Sequence, residues 1–176
     1  MKSKLLYLSL IGILSSCYLK QNSKKVFYSY NPKANETTLT ISPIGNIHIP
    51  GKWKRTGYDE KMKSYLFIDD EYNRIAIAKN RQADFIFVRP AMTEEMFVLE
   101  YFAWETRRSA SPTFQMKKLP HFEGDNYLFW TAKGKNLEAI YLFGAKNKIA
   151  YSLAIYSENW DFQENLAFLK KLFDDN

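Results

Sequence analysis

The chain is poor in the residue types on which most catalytic and metal-binding sites depend. It has a single cysteine, Cys17, and two histidines, His48 and His121, that lie far apart in sequence. These numbers exclude a disulfide within the chain and argue against a zinc–thiolate site or a histidine pair at ligand spacing. The seven glycines are scattered singly, and no Gly-x-Ser-x-Gly motif occurs. We therefore expect no metal, no cofactor and no enzymatic activity; a hydrolase would need acidic side chains to converge with one histidine in a cleft.

Long hydrophobic runs are also missing. No segment has the roughly 18 consecutive apolar residues that a transmembrane helix needs. The apolar stretch Leu5–Leu14 is interrupted by a serine and a glycine, and two lysines precede it. A short basic segment followed by a short apolar run is typical of a secretory signal. We therefore predict that residues 1–16 are a cleavable signal peptide.

The end of this signal resembles a bacterial lipobox. Leu14, Ser15 and Ser16 supply an aliphatic residue and two small residues, and Cys17 follows. The resemblance implies cleavage between Ser16 and Cys17, attachment of diacylglycerol to the Cys17 thiol, and acylation of the new amino terminus. The alternative is an ordinary cleaved signal, but the position of the single cysteine favours lipidation. Two or three acyl chains, at about 0.8 kcal/mol per buried CH₂, would hold the protein on a membrane.

The residue after Cys17 bears on which membrane is bound. In bacterial lipoproteins an aspartate there favours inner-membrane retention, whereas this chain has Tyr18. No acidic run of the type used for surface export follows. We therefore expect a lipid-anchored protein of the cell envelope, in the outer membrane and facing the periplasm.

The net charge of +6 lies mainly beside this predicted anchor. Residues 18–36 carry four lysines and one glutamate, whereas residues 37–176 carry 19 basic and 18 acidic side chains. A body so close to neutrality argues against nucleic-acid binding. Residues 17–37 are polar and without a clear period, so they are predicted to be the lipidated cysteine and a flexible basic tether. Its lysines either attract anionic headgroups or only keep the tether solvated.

Residues 38–176 are predicted to form one α+β domain, a mostly antiparallel sheet with packed helices. One helix near 93–109 begins with Thr93 as its cap. An amphipathic helix at Asp161–Phe173 opens with a capping box of Asp161 and Glu164. The predicted strands are Thr38–Ser42, Asn46–Ile49 with Trp53–Tyr58 as its extension, Ser64–Ile68, Arg74–Lys79, Thr113–Leu119, Asn126–Ala132, Leu137–Phe143 and Lys148–Ser157.

This order of elements resembles the PsbP-like fold, an α/β/α sandwich found in a photosystem extrinsic subunit and in many bacterial envelope lipoproteins. The resemblance is carried by Ile47–Trp53, the helix near 93–109, the strand end Leu153–Ser157 and the terminal helix, and it covers residues 38–176. It implies a non-enzymatic accessory module that binds an envelope protein. The expected partners are thus a membrane, through Cys17, and an unidentified envelope protein.

Aromatic residues are the one abundant class with binding potential. There are twelve tyrosines and four tryptophans, which are Trp53, Trp104, Trp130 and Trp160. Most are expected in the core, and those at an exposed edge form a candidate binding surface. A second function therefore stays open, a lipoprotein that binds a small ligand in an aromatic-lined pocket. A pocket lined by two or more tryptophans would favour it, whereas a filled core would favour the protein-binding module.

Overall fold

A large antiparallel sheet organises the chain, in a computed structural model that describes residues 25–109, 115–134 and 138–176. The strands are β1 (Lys25–Asn31), β2 (Glu36–Ser42), β3 (Gly45–Pro50), β4 (Lys54–Asp59), β5 (Ser64–Ile68), β6 (Arg74–Arg81), β7 (Gln115–Gly124), β8 (Tyr127–Lys133), β9 (Glu138–Lys146) and β10 (Ile149–Tyr156). The helices are α1 (Glu94–Arg108) and α2 (Phe162–Asp174), with one 3₁₀ turn at Gln82–Asp84. The large sheet has the order β4-β5-β6-β10-β9-β8-β7, and a small sheet has the order β1-β2-β3. The predicted α+β class is confirmed.

Both faces of the large sheet carry a hydrophobic cluster. On the first face, large side chains such as Tyr151 and Leu153 of β10 pack against the small sheet and against α2. On the second face, α1 lies over smaller residues that include Ala145 and Ala150. Because large and small side chains alternate along β10, its large side chains pack in the first cluster and its small ones lie on the second face. The result is three layers, with α1 on one side of the large sheet and α2 with the small sheet on the other.

The two predicted helices are confirmed together with their starts. The Thr93 hydroxyl accepts a hydrogen bond from the Met96 N–H at 3.1 Å and so caps α1. At α2, Asp161 accepts from the Glu164 N–H and Glu164 accepts from the Asp161 N–H, both at 2.8 Å. These bonds satisfy N–H groups that would otherwise lack partners in the first helical turn.

The predicted strands Ser64–Ile68 and Arg74–Lys79 form a hairpin, and the last four predicted strands form a meander. β5 and β6 pair antiparallel, and the Asp69 carboxylate closes their turn by accepting from Asn73 N at 2.8 Å and Asn73 Nδ2 at 2.7 Å. The last four strands pair in chain order, β7 with β8, β8 with β9, and β9 with β10. β7 is an edge strand of the large sheet.

The flexible tether predicted for residues 17–37 is wrong over Lys25–Asn31. These residues form β1, which pairs with β2 from Lys25↔Ser42 to Asn31↔Glu36. β1 buries little apolar surface: Val26 packs against the first cluster, and the half-exposed Tyr28 ring lies edge-on to Phe67 with ring centres 6.2 Å apart. Main-chain pairing holds the strand, and such pairing leaves no hydrophobic pattern to detect. The predicted signal, Ser16 and Cys17 lie outside the described residues.

The predicted extension of the second strand through Trp53–Tyr58 is also wrong. The chain leaves the small sheet after β3 and enters the large sheet as β4. Gly51, with φ of 92°, makes the turn in a conformation that favours glycine. The Thr37 hydroxyl then accepts from the Trp53 N–H at 2.9 Å and fixes the crossing.

Close packing of α2 on β9 depends on Gly144, because a Cβ there would overlap the Phe173 ring. We expect Gly144→Ala to lower the free energy of unfolding by about 1–3 kcal/mol, the usual cost of overpacking. The control is Gly57→Ala in β4, whose added Cβ would lie 3.9 Å from the Leu66 side chain, an ordinary contact. Urea unfolding followed by circular dichroism measures both, and equal stability of the two variants would contradict this packing.

A lysine is buried between the two sheets. Lys79 of β6 is 8% exposed, and its Nζ donates to the Asn46 carbonyl oxygen at 2.6 Å. The same atom lies 5.4 Å from the centre of the Tyr151 ring. Burial lowers the pKa of Lys79, and the charge of Lys146 lowers it further. Lys79 therefore ties the small sheet to the large one while carrying a charge that the site disfavours.

The lowered pKa of Lys79 predicts a pH effect on stability. The unfolded chain holds the Lys79 proton up to its ordinary pKa of 10.5, whereas the folded chain releases it earlier. The stability of the natural protein should therefore rise relative to that of Lys79→Met as the pH increases from neutral towards 10.5. Urea unfolding of both proteins along this pH series measures the difference. A difference independent of pH would show that Lys79 is not desolvated.

Candidate functional site

An open groove lies on the second face of the large sheet, beside α1. Its floor is a row of residues paired across four strands, Leu66 with Ala76, Ala76 with Ala154, and Ala154 with Tyr141. The volume of the groove is about 470 Å³. We call it the sheet groove. The other residues that line it are Thr56, Phe67, Ile68, Arg74, Ile75, Ala139, Ile155 and Tyr156.

Small side chains explain why the sheet groove exists. α1 packs on Leu128, Trp130 and Phe143 together with small residues such as Ala145 and Ala150. Small residues continue beyond the helix as Ala76 and Ala154, where no element of the described chain covers them. The second face is thus covered by α1 over its large residues and open over these alanines.

The open end of the sheet groove is basic and aromatic. The exposed Arg74 lies with its guanidinium carbon 5.9 Å from the centre of the Tyr156 ring. The Tyr156 hydroxyl donates to the Glu158 carboxylate, and this hydrogen bond is the main cause of the raised pKa of Tyr156. Arg74 is the one charged residue that lines the groove among the described parts of the chain.

The inner end of the sheet groove is polar. A smaller cavity of about 140 Å³ shares Leu66, Ala76, Tyr141 and Ala154 with the groove and adds Asp59, Met62, Ser64 and Ser152. Burial raises the pKa of Tyr141, with the nearby charges of Glu105 and Asp59 as further causes. The Tyr141 phenol is therefore neutral at physiological pH and can donate a hydrogen bond.

An ion pair fixes α1 along the side of this inner cavity. Glu105 is 2% exposed, and its Oε2 accepts from Arg108 Nη2 at 2.8 Å. Arg108 Nη1 also donates to the Lys61 carbonyl oxygen at 2.9 Å, which joins the end of α1 to the β4–β5 turn. The buried carboxylate thus has a charged partner, as burial requires. These contacts hold the position of the helix that borders the sheet groove.

The four tryptophans lie on opposite faces of the large sheet and do not form one surface. Trp53 and Trp160 pack with the first cluster, with ring centres 5.7 and 5.1 Å from that of Phe168. Trp130 is buried on the second face and stacks on Tyr141 at 4.0 Å. Trp104 lines a separate pocket of about 280 Å³ at the end of α1.

The sheet groove was missed by sequence reasoning because alanines give no functional signal. The one available sign was the small second face of β10, which indicated that another element lies close. None of the four tryptophans lines the groove; its aromatic walls come from Phe67, Tyr141 and Tyr156. The tryptophans on which a ligand pocket was expected to depend therefore belong mostly to the two clusters.

The histidines are not brought together. His48 lies in β3, with Nδ1 2.7 Å from Glu36 Oε1, and His121 lies in β7 with φ of 70°. Neither lines the sheet groove. Across residues 25–109, 115–134 and 138–176, no group of three or more His, Cys, Asp or Glu is placed to hold a metal ion. Over the same ranges, no helix combines the length and apolarity that a bilayer span requires.

Comparison with known proteins gives likenesses among solved structures. No protein-family model and no curated protein sequence matches the chain. Among solved structures, the chain is similar to the solution structure of cyanobacterial PsbP (CyanoP) from Synechocystis sp. PCC 6803, with a TM-score of 0.42 and 10% sequence identity. The match covers 93% of this chain and 95% of that one. A likeness at this identity and TM-score assigns no role to the chain.

Proposed function

We propose that this protein is a lipid-anchored, non-enzymatic module of the bacterial cell envelope that binds an apolar helix of an envelope protein in the sheet groove. One observation carries the proposal: the second face of the large sheet supports α1 at one end and presents an uncovered floor of Ala76 and Ala154 at the other. A face that already accommodates one helix can accept a second beside it.

The dimensions of the floor suit a helix. Ala76 and Ala154 lie opposite each other on β6 and β10, so nothing larger than a methyl group rises from the centre of the groove. Leu66 and Tyr141 stand on the flanking strands, where they would contact the sides of a helix. A partner helix would place apolar residues at intervals of three and four on this floor.

The charge at the groove ends would orient the partner. Arg74 lies at the open end, where a cation favours the carboxyl end of a helix or an acidic side chain near it. At the inner end, the neutral Tyr141 phenol and the Ser64 and Ser152 hydroxyls can bond exposed N–H or C=O groups of the partner backbone. The groove therefore favours one direction of a bound helix.

The residues at the groove support binding rather than catalysis. No histidine or cysteine lines it in the described parts of the chain. Asp59, the acid of the adjoining inner cavity, already accepts hydrogen bonds from the backbone N–H groups of Lys61 and Met62 at 2.8 and 2.9 Å. A nucleophile paired with a base, which acyl-transfer and hydrolytic sites require, is therefore missing from this surface.

The membrane part of the proposal depends on Leu14–Cys17. The lipobox resemblance places the acyl chains eight residues before β1. The near-neutral charge of residues 37–176 argues against a nucleic-acid partner. We assign the protein to the cell envelope, in the outer membrane and facing the periplasm, with no nucleic-acid partner.

A small apolar ligand is the second candidate occupant. The groove volume of about 470 Å³ lies within the roughly 300–1,000 Å³ of typical ligand pockets. Native mass spectrometry of protein purified from its own envelope distinguishes the two occupants. A retained small molecule that is lost on substitution of Ala76 would favour this second candidate.

The anchor is tested by Cys17→Ala. We expect the variant to lose acyl-chain labelling and to leave the membrane fraction, because the thioether needs the thiol. The matched control is Ser16→Ala, which keeps a small residue at the cleavage site and should retain both properties. Continued labelling of Cys17→Ala, or an unmodified Cys17 in the natural protein by mass spectrometry, would refute the anchor.

The groove is tested by filling its floor. Ala76→Leu should weaken partner binding at least about fivefold, because overpacking costs 1 kcal/mol or more. Ala83→Leu, at an exposed position outside the groove, should leave binding unchanged. The measurement is photo-crosslinking from a reactive amino acid at Ile68 in the native envelope, with the captured segment sequenced. Equal capture by both variants, or capture of a segment without helical apolar spacing, would contradict the proposal.

A further inference from the structure

Aromatic side chains are exposed along β1, the outer strand of the small sheet. Phe27 is 63% exposed, Tyr28 46% and Tyr30 37%. Phe27 points outward beside the polar residues of β2, whereas Tyr28 and Tyr30 lie on the opposite face of the strand, where the Tyr28 ring is 6.2 Å from that of Phe67. β1 is paired on one side only, so its other edge is free in the described chain. Exposed aromatic rings therefore flank this free edge from both faces of the strand, which is more than scattered surface exposure produces.

Positive charge accompanies these aromatic residues. Lys25 begins β1, and Lys33 lies in the turn that follows it. No acidic residue occurs from Tyr18 to Asn35. The first acid, Glu36, is engaged by His48 Nδ1 at 2.7 Å. Tyrosine rings prefer the headgroup region of a bilayer, and lysines are drawn to anionic lipid.

The chain length keeps β1 close to the anchor. Lys25 is eight positions after Cys17, and a fully extended chain spans at most about 28 Å over that separation. A domain of this size has a radius of gyration of about 15 Å. The tether is therefore shorter than the domain is wide, so the end of the domain that carries β1 is held next to the bilayer.

We propose that the exposed edge of β1, with Phe27, Tyr28 and Tyr30 flanked by Lys25 and Lys33, rests on the anionic headgroup region of the membrane. This contact rests on the proposed lipidation of Cys17, which brings the strand to the surface. The small sheet then faces the lipid, and α1, on the opposite side of the large sheet, faces away from it. The sheet groove is thereby presented to the periplasm in a fixed orientation.

A single thiol tests this contact. Acylated Cys17 has no free thiol, so Ser29→Cys on the outer side of β1 gives the full-length lipidated protein one labelling site. Leu99→Cys on α1, which is 47% exposed, gives the matched control. Each protein carries a fluorescent label and is placed in vesicles of equal phosphatidylethanolamine and phosphatidylglycerol, with a nitroxide quencher on the headgroup. Vesicles of phosphatidylcholine provide the neutral surface.

We expect strong quenching of the label at position 29 in the anionic vesicles, weaker quenching in the neutral ones, and little quenching at position 99. Adding Lys25→Gln and Phe27→Ser to Ser29→Cys should reduce the quenching about fivefold, since each lysine contributes about 1 kcal/mol near such a surface. Adding Lys61→Gln and Ile86→Ser, a matched pair of exposed residues elsewhere, should change nothing.

The failure of this contact differs from the failure of the anchor. Equal quenching at positions 29 and 99, in protein that still floats with the vesicles, overturns the β1 contact and leaves the lipid anchor intact. If the label at position 29 is quenched as strongly in the variant that adds Lys25→Gln and Phe27→Ser as in Ser29→Cys alone, the β1 contact is also overturned. Protein that fails to float and has an unmodified Cys17 overturns the proposed anchor itself.

Discussion

The structure depends on one strand that is buried on both of its faces. β10 pairs with β6 on one side and with β9 on the other, so it joins the early and late halves of the chain. Its large residues fill the cluster beneath α2 and the small sheet, and its alanines and serine form part of the opposite face. A one-residue shift in its register would exchange the two sets and disrupt both clusters together.

The same alternation creates the sheet groove. A face made of alanines allows a helix to approach closely, but it can bury much apolar surface only when something lies on it. α1 covers part of that face and is held by the Glu105–Arg108 pair and the Lys61 carbonyl. α1 leaves the rest of this face uncovered, and in our proposal a partner helix covers it.

Local chemistry explains which parts of the fold could be predicted from sequence. Thr93 at α1 and the Asp161–Glu164 pair at α2 mark helix starts through hydrogen bonds to their own backbone. The alternation of large and small side chains along β10 likewise indicates how each side of the strand is packed. β1 could not be predicted in this way, because Tyr28 and Tyr30 are only partly buried at an edge among polar residues. The strand forms through pairing with β2, which is a property of the assembled sheet.

The groove was beyond prediction for a different reason. Its floor combines Ala76 and Ala154, which are distant in sequence and meet only because β6 pairs with β10 across a non-consecutive connection. No local pattern encodes that pairing. The turn at Gly51 moves the chain from one sheet to the other before Trp53. It could not be predicted either, because a single glycine occurs in many kinds of local structure.

The position of β1 as the first strand of the described chain has a mechanical consequence. A load applied at the amino-terminal side reaches the seven residue pairs between β1 and β2 before it reaches either hydrophobic cluster. Those pairs are held by main-chain hydrogen bonds, and β1 buries little apolar surface. β1 can therefore separate from β2 and pair with it again under tension while the large sheet and its groove keep their shape.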